Sequence, residues 1–338
     1  MNTVVVFVPA DEAETILVID NFLAGSQQGG AHNEHGSLNM DLSIAAERMP
    51  KQGETLAGEG FCTNPGGKGA NQAVAAAKAG APTLMFGAVG EDVFGSALVD
   101  ALDKAGVDTT GVKRLSDTST GVAVILRTQG DNRIVLDHGA NGLEAPEEMA
   151  EAVAAAGDAG DMLLCQMECD LETTAAVLHA AHAKGIRTLL NVAPPEKLPS
   201  GIWEDVDIVC VNETEAEALV GILPQDEESE RQALSALSAL GPATAIITLG
   251  GKGSVALEDG RFLEVPADRI CPVDTTASGD TYIGYLAQGY VSGLGLDESM
   301  QRATHAAGLT ATRVGAQQAI PCAEEVDALF GPASGNRR

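Results

Sequence analysis

Short apolar runs along this chain alternate with longer stretches in which apolar positions recur every third or fourth residue, a pattern of strands alternating with helices. From residue 145 onward the alternation is regular. It predicts helix 145–156, strand 162–166, helix 173–183, strands 188–192 and 208–211, helices 213–220 and 230–240 around an acidic loop, strand 245–249, a hairpin of 254–258 with 261–265, and two or three closing helices. The first half is less even. The β-branched runs 3–8 and 16–22 each read as a buried strand, and the polar, glycine-rich stretch 25–36 reads as loop. Segments 42–62 and 121–138 each hold two alternating strands around turn signals, whereas 70–79 and 93–105 are helical and 83–89 is a strand.

Strands joined by helices imply right-handed crossovers, hence an α/β fold whose mostly parallel central sheet carries helices on both faces. The two strand pairs that break the rhythm are expected together as a small β-sheet. Ligands bind outside the carboxyl ends of such parallel strands, so that sheet is placed there as a lid, with strands from about 39–65 and 119–140. One domain over 1–338 is the expectation, with 1–35 an atypical segment.

Charge narrows the partners. With 48 acidic and 20 basic residues the formal net charge is −28, which opposes polyanion binding, so nucleic acid is not an expected partner. The six cysteines form no CxxC pair and no zinc spacing, which suits reduced thiols in a cytoplasmic protein. No apolar run approaches a membrane span and no basic leader opens the chain.

Candidate chemistry centres on Asp274-Thr-Thr-Ala-Ser-Gly-Asp-Thr281, a loop of small residues feeding an apolar helical pattern. The first turn of a helix offers unpaired N–H groups, so Ala277, Ser278, Gly279 and Asp280 read as an anion cradle in which Asp280 takes a proton from an attacking hydroxyl. The plainer alternative is a capped helix with Asp280 placed by the dipole. Asn64-Pro-Gly-Gly-Lys-Gly-Ala-Asn71 reads as a polyol or phosphate cradle; it is not a Walker A loop, because Gly69 follows Lys68 where Ser or Thr is required. Asn39 and Asp41 share one face of an extended segment and suit vicinal hydroxyls, or form an Asx-rich turn. Glu168 ends an inner strand. Asn212 and Glu215 lie one turn apart and either hold Mg²⁺ through water or cap a helix. Thr248, Gly250, Gly251 and Gly253 leave a strand with backbone free to contact a nucleotide, or make a tight turn.

The order of these stretches, above all Gly66-Gly-Lys-Gly-Ala-Asn-Gln-Ala73, Asn212-Glu-Thr-Glu215 and Asp274-Thr-Thr-Ala-Ser-Gly-Asp280, resembles the ribokinase (PfkB-type) family of carbohydrate kinases from about residue 36 to 321. The resemblance implies ATP-dependent phosphorylation of D-ribose at its 5-hydroxyl. It implies that Asn39, Asp41, Gly67, Lys68, Asn71 and Glu168 hold the sugar beside Asp280, with Ala123 and Ile125 as the apolar side. It further implies that Asn212, Thr248, Gly250, Gly251, Gly253 and Gly279 hold ATP, that His305 or Thr304 lines the adenine, and that Glu215 organises Mg²⁺. A K⁺ site is implied at Asp274, Thr276, Thr310, Arg313, Gly315 and Ala319, and a homodimer through the exposed lid is expected.

Three features depart from the family pattern. Ala277 and Ser278 stand where Gly-Ala is common, Ala319 stands where a hydroxyl is usual, and 31–35 separates Asn39 from any preceding strand, so that 1–35 is a displaced first strand with an insertion or an atypical terminus. The rival readings are a kinase of the same family for fructose, deoxyribose or a nucleoside, and a sugar- or nucleotide-binding regulator without turnover. A nucleoside kinase would want aromatic lid residues, and a regulator would tolerate loss of Asp280.

Overall fold

The computed structural model describes residues 14–19, 38–128, 131–141, 145–168 and 171–332. The strand expected at 3–8 and the loop at 25–36 lie outside these residues. The second apolar run supplies β1 (Ile16–Ile19), followed by β2 (Asn39–Ala46), β3 (Gly58–Gly66), α1 (Lys68–Lys78), β4 (Thr83–Gly90), α2 (Val93–Ala105), β5 (Asp108–Leu115), β6 (Gly121–Thr128), β7 (Asp131–Asp137) and α3 (Pro146–Ala156). The regular half contributes β8 (Met162–Gln166), α4 (Leu171–Ala183), β9 (Arg187–Asn191), β10 (Ile208–Asn212), α5 (Glu213–Val220), α6 (Glu227–Ser238) and β11 (Thr244–Thr248). The hairpin β12 (Gly253–Glu258) and β13 (Arg261–Pro266) and the helices α7 (Ser278–Val291), α8 (Leu296–Ala311) and α9 (Ala323–Phe330) complete the order.

The large sheet runs β13-β12-β11-β10-β9-β8-β1-β4-β5, parallel except for the β12–β13 hairpin at one edge. Its strands alternate between two apolar layers. Ile16 and Val18 of β1 face a cluster with α1, α2, α7 and α8, while Leu17 and Ile19 face one with α3, α4 and α6. All four side chains are buried, and burying such a side chain contributes about 1.5–3 kcal/mol, so a strand of four residues suffices to seed the middle of the sheet. β1 also marks the switch point, because successive strands proceed outward from it through β4 and β5 on one side and from β8 through β11 on the other. Among the described residues β1 is the strand that precedes the Asn39 segment in the chain.

The small sheet, β3-β2-β6-β7, joins β2 to β6 in parallel and is otherwise antiparallel. Two elements differ from expectation. β5 was not anticipated: Asp108-Thr-Thr-Gly-Val-Lys-Arg-Leu115 lies at the sheet edge with most of its side chains exposed or half-buried, so no apolar run marks it. β3 extends through Asn64-Pro-Gly66, which reads as a turn; Pro65 is tolerated because β3 is an edge strand and needs no outward N–H bond.

α7 lies close against α1. A Cβ on Gly284 would collide with Ala75 Cβ and stand 2.7 Å from Ala76 N and 2.8 Å from Gln72 O, so only hydrogen fits. Gly284→Ala should therefore lower stability by about 1–3 kcal/mol through overpacking, which outweighs the gain of about 1 kcal/mol in helix propensity. The urea midpoint of the variant checks this, and an unchanged or raised midpoint contradicts it.

Candidate active site

Residues at the carboxyl ends of β8, β9, β10 and β11 converge with the first turns of α1 and α7. Asp280 sits in the opening turn of α7, 8% exposed, and each of its oxygens accepts an amide bond from α1: Oδ2 from Asn71 Nδ2 at 3.0 Å and Oδ1 from Gln72 Nε2 at 3.1 Å. Asn71 Oδ1 is buried without a partner among the described residues, an acceptor left for a bound hydroxyl. Gly67 has no side chain to cap α1; instead Glu168, just past β8, accepts from the Lys68 N–H at 3.0 Å, tying the helix start to the sheet. The Lys68 ammonium is opposed by burial, but the carboxylates Asp280, Glu168 and Glu215 outweigh that and raise it above the ordinary lysine value.

Ala277 is the N-cap of α7 in the left-handed conformation, φ 59° and ψ 9°, a geometry that costs an L residue roughly 1–2 kcal/mol. The backbone so turned presents the helix N-terminus to the cleft. Of the four expected donors, the Ser278 N–H is already bonded to the Thr275 carbonyl at 3.1 Å, which corrects the reading of a four-membered cradle and leaves Ala277, Gly279 and Asp280.

Two cavities meet here. One of about 210 Å³ is lined by Lys68, Asn191, Asn212, Glu215 and Asp280. The other, about 730 Å³, is lined by Gly250, Gly251, Gly253, Asp268, Ser278, Tyr282 and Thr304. Thr248, Thr275 and Gly279 belong to both, so the α7 N-terminus stands at the passage between them. Asn212 and Glu215 form a reciprocal capping box on α5, with Glu215 Oε2 accepting from Asn212 N at 2.7 Å and Oε1 from Asn212 Nδ2 at 2.8 Å. Burial pushes the Glu215 carboxyl up, against the pull of the Asn212 N–H and Lys68.

His305 is misplaced by the sequence reading. It lines a separate cavity of about 470 Å³ with Phe330 and Arg302, stacks on Phe330 at 3.8 Å and contacts Asp268 at 2.8 Å. Consecutive residues on a helix point about 100° apart, so Thr304 faces the larger cavity and its neighbour does not. The Thr304 hydroxyl is buried and unpartnered among the described residues.

The small sheet brings Asp41 of β2 into register with Ala123 of β6 and Asn64 of β3, and Ser43 with Ile125. Asn39 is 3% exposed and accepts from Asn141 Nδ2 at 3.0 Å. Gly66 lies so close to the Asp41 carboxylate that a Cβ there would stand 2.7 Å from Asp41 Cγ. At the remaining cluster Asp274 accepts from the Thr276 hydroxyl at 2.6 Å and from Gly315 N at 3.0 Å. Partial burial works against its charge, yet these bonds and the nearby Arg127 hold its carboxyl below the usual range. Arg313 donates its main-chain N–H to the Thr310 carbonyl and reaches the Ala319 carbonyl at 3.5 Å. Among the described residues no group of three or more His, Cys, Asp or Glu could hold a metal ion, and no helix is long and apolar enough to cross a membrane. Sequence reasoning missed Gln72, Gln166, Asn191 and Asn141, all buried; the available signal was polar side chains inside apolar patterns.

A carboxylate that lines one cavity, on a helix whose N-terminus borders both, can draw a proton from a hydroxyl beside it while a phosphoryl group arrives from the other, which is the chemistry of a small-molecule kinase. The chain belongs to the pfkB family of carbohydrate kinases, whose profile matches residues 35–323. It is 35% identical over 295 residues to the ribokinase of Haemophilus influenzae, covering 86% of this chain and 95% of that protein. It is also 35% identical over 292 residues to the deoxyribokinase of Salmonella typhi, covering 86% and 95%. The structure of Arabidopsis thaliana ribokinase complexed with ribose and ATP matches with a TM-score of 0.82 at 30% identity, covering 94% of this chain and 98% of that one. The fold is ribokinase-like, and the protein is a sugar kinase.

Burial raises the Asp41 carboxyl from 3.8 to about 6. A carboxyl raised on folding binds more protons in the native state, so its contribution favours folding at low pH and is lost as pH rises through about 6. Between pH 4.5 and 7.5 the wild type should lose on the order of 1–2 kcal/mol relative to Asp41→Asn, measured by urea unfolding; parallel curves for the two proteins contradict it.

Proposed function

We propose that this chain transfers the γ-phosphoryl group of ATP to the 5-hydroxyl of D-ribose, giving ribose 5-phosphate and ADP. The observation that carries this reading is Asp280 lining the smaller cavity beside Gly279, which lines both, with each Asp280 oxygen held by an α1 amide. Asn39, Asp41, Gly67, Lys68, Asn71 and Glu168 hold the sugar, and Ala123 and Ile125 of the lid supply its apolar side. Thr248, Gly250, Gly251, Gly253 and Thr304 line the nucleotide cavity, and Asn212 lines the smaller one.

Phosphoryl transfer depends on positioning and charge stabilisation more than on covalent work. Asp280 accepts the hydroxyl proton, the N–H groups of Ala277, Gly279 and Asp280 hold the charge of the moving group, Lys68 offsets it, and the small sheet excludes water. Glu215, bonded through both oxygens to Asn212, suits Mg²⁺ carried by the nucleotide and reached through water rather than a metal caged by protein. Such an ion neutralises phosphate charge. The hard oxygens around Asp274, with the carbonyls of Thr276, Thr310, Arg313 and Gly315, suit a monovalent cation such as K⁺ that would stiffen the anion loop; Ala319 supplies no side-chain oxygen there, and its carbonyl faces the Arg313 guanidinium.

The deoxyribokinase relative makes 2-deoxyribose the competing substrate. A buried site built for hydroxyls is left with unpaired groups when one is missing, at about 1–3 kcal/mol per group. ADP release measured against ribose, 2-deoxyribose, fructose and nucleosides, with and without potassium at constant ionic strength, should give ribose the highest kcat/KM by at least about tenfold and show potassium activation. Equal kcat/KM for ribose and 2-deoxyribose sinks the ribose reading, and indifference to potassium sinks the cation site.

Two copies pair through the small sheet in this reading, which is supported by Phe61, Val124 and Val135, at 64%, 46% and 71% exposed and on one face of that sheet by strand alternation; exposed apolar side chains sharing a face suit an interaction surface. Light scattering during size-exclusion chromatography should give a dimer mass, and a monomer at micromolar concentration overturns the pairing.

A further inference from the structure

We infer that Gln72 is a positioning residue for the phosphoryl transfer, the middle of a buried amide relay that sets the plane of the Asp280 carboxylate; this rests on the reading of Asp280 as the base. Gln72 is fully buried, and its side chain bonds in three directions. Nε2 donates to Asp280 Oδ1 at 3.1 Å and to Asn191 Oδ1 at 3.2 Å, and Oε1 accepts from Gln166 Nε2 at 2.7 Å. Asn191 in turn donates to the Cys210 carbonyl at 3.0 Å. Gln166 and Asn191 are the last residues of β8 and β9, and Cys210 lies in β10, so three adjacent strands of the large sheet fix the relay.

The direction of the relay follows from elementary chemistry. An ionised carboxylate only accepts hydrogen bonds, so the amide facing Asp280 must present its NH₂ group. That turns Gln72 Oε1 toward Gln166, which must present its own NH₂. Gln166 Oε1 is then left buried with no partner among the described residues. A core tolerates such an orphan where orientation matters more than local satisfaction. Asn71 differs in kind: it also bonds Asp280, but its free Oδ1 leaves it capacity toward a substrate, whereas the Gln72 amide has its oxygen and nitrogen engaged within the protein.

Gln72→Met keeps length and burial and removes the relay. In assays of ADP release with ribose, kcat should fall about 10–100-fold, the scale of a misplaced reacting group, while KM for ribose and ATP stays within about threefold. Gln166→Met, which does not touch Asp280, should lower kcat by a smaller factor. The double variant should be no slower than Gln72→Met, because residues acting as one unit are not additive. Thermal melting and ADP binding by calorimetry confirm folding of each variant; if Gln72→Met does not fold, Gln166→Met carries the test alone. An undiminished kcat in the folded variants, or losses that multiply in the double variant, overturns the relay. Asp280→Asn assayed alongside separates the two readings. If it is inactive while Gln72→Met is at full rate, only the relay falls; if it keeps more than about a tenth of the wild-type rate, the base reading falls and the relay with it.

Discussion

The contact between Asp280 and the amides of α1 is the interaction on which the rest of this structure depends. It joins side chains 208 and 209 residues apart, and it exists only because α7 and α1 approach closely enough for Gly284 to lie against the backbone of Ala76 and Gln72. A carboxylate buried at that point needs bonds to both oxygens, since leaving one unmet would cost more than the usual net worth of a hydrogen bond. The two helices therefore come together as a unit with the site.

The same junction organises charge. Lys68, Asp280, Glu168 and Glu215 hold one another in a shared field in which burial and opposite charge act against each other. The protein carries a strong net negative charge, so its surface repels a nucleotide in general and the attraction is concentrated where a helix N-terminus and a lysine face the passage between the cavities. Ala277 in the left-handed region turns the backbone toward that passage. Strain stored at such a point persists only where the surrounding packing determines it, and the Thr281 hydroxyl bonded to the Ala277 carbonyl at 2.8 Å is part of that packing.

The small sheet contributes a different property. Its strands are inserted between β1 and α1 and between β5 and α3, so it is tied to the large sheet at the points where Asn39, Gly66 and Asn141 meet the site. Asn64 in β3 also touches Gln318 at 3.3 Å, linking this sheet to the loop that carries the Asp274 cluster. The small sheet and the loop around Asp274 are thus connected through a polar bond at the rim.

The alternation of strand and helix, the break in rhythm that separates the small sheet, and the motifs around Lys68, Asn212 and Asp280 were all legible in the linear pattern, because periodicity and turn chemistry are local properties. β5 was not, since an exposed edge strand carries little apolar signal. His305 and Thr304 were indistinguishable as a dipeptide; only the rotation of α8 against its neighbours decides which one faces the larger cavity beside α7. Gln72 stood in plain view inside a recognised motif, but its partners Gln166 and Asn191 lie 94 and 119 residues away. The sequence by itself determined which residue types were available at the site and on which elements. Tertiary structure decided which atoms meet, how deeply Asp41 is buried and which amide faces the carboxylate, because those depend on distances between segments that only packing brings together.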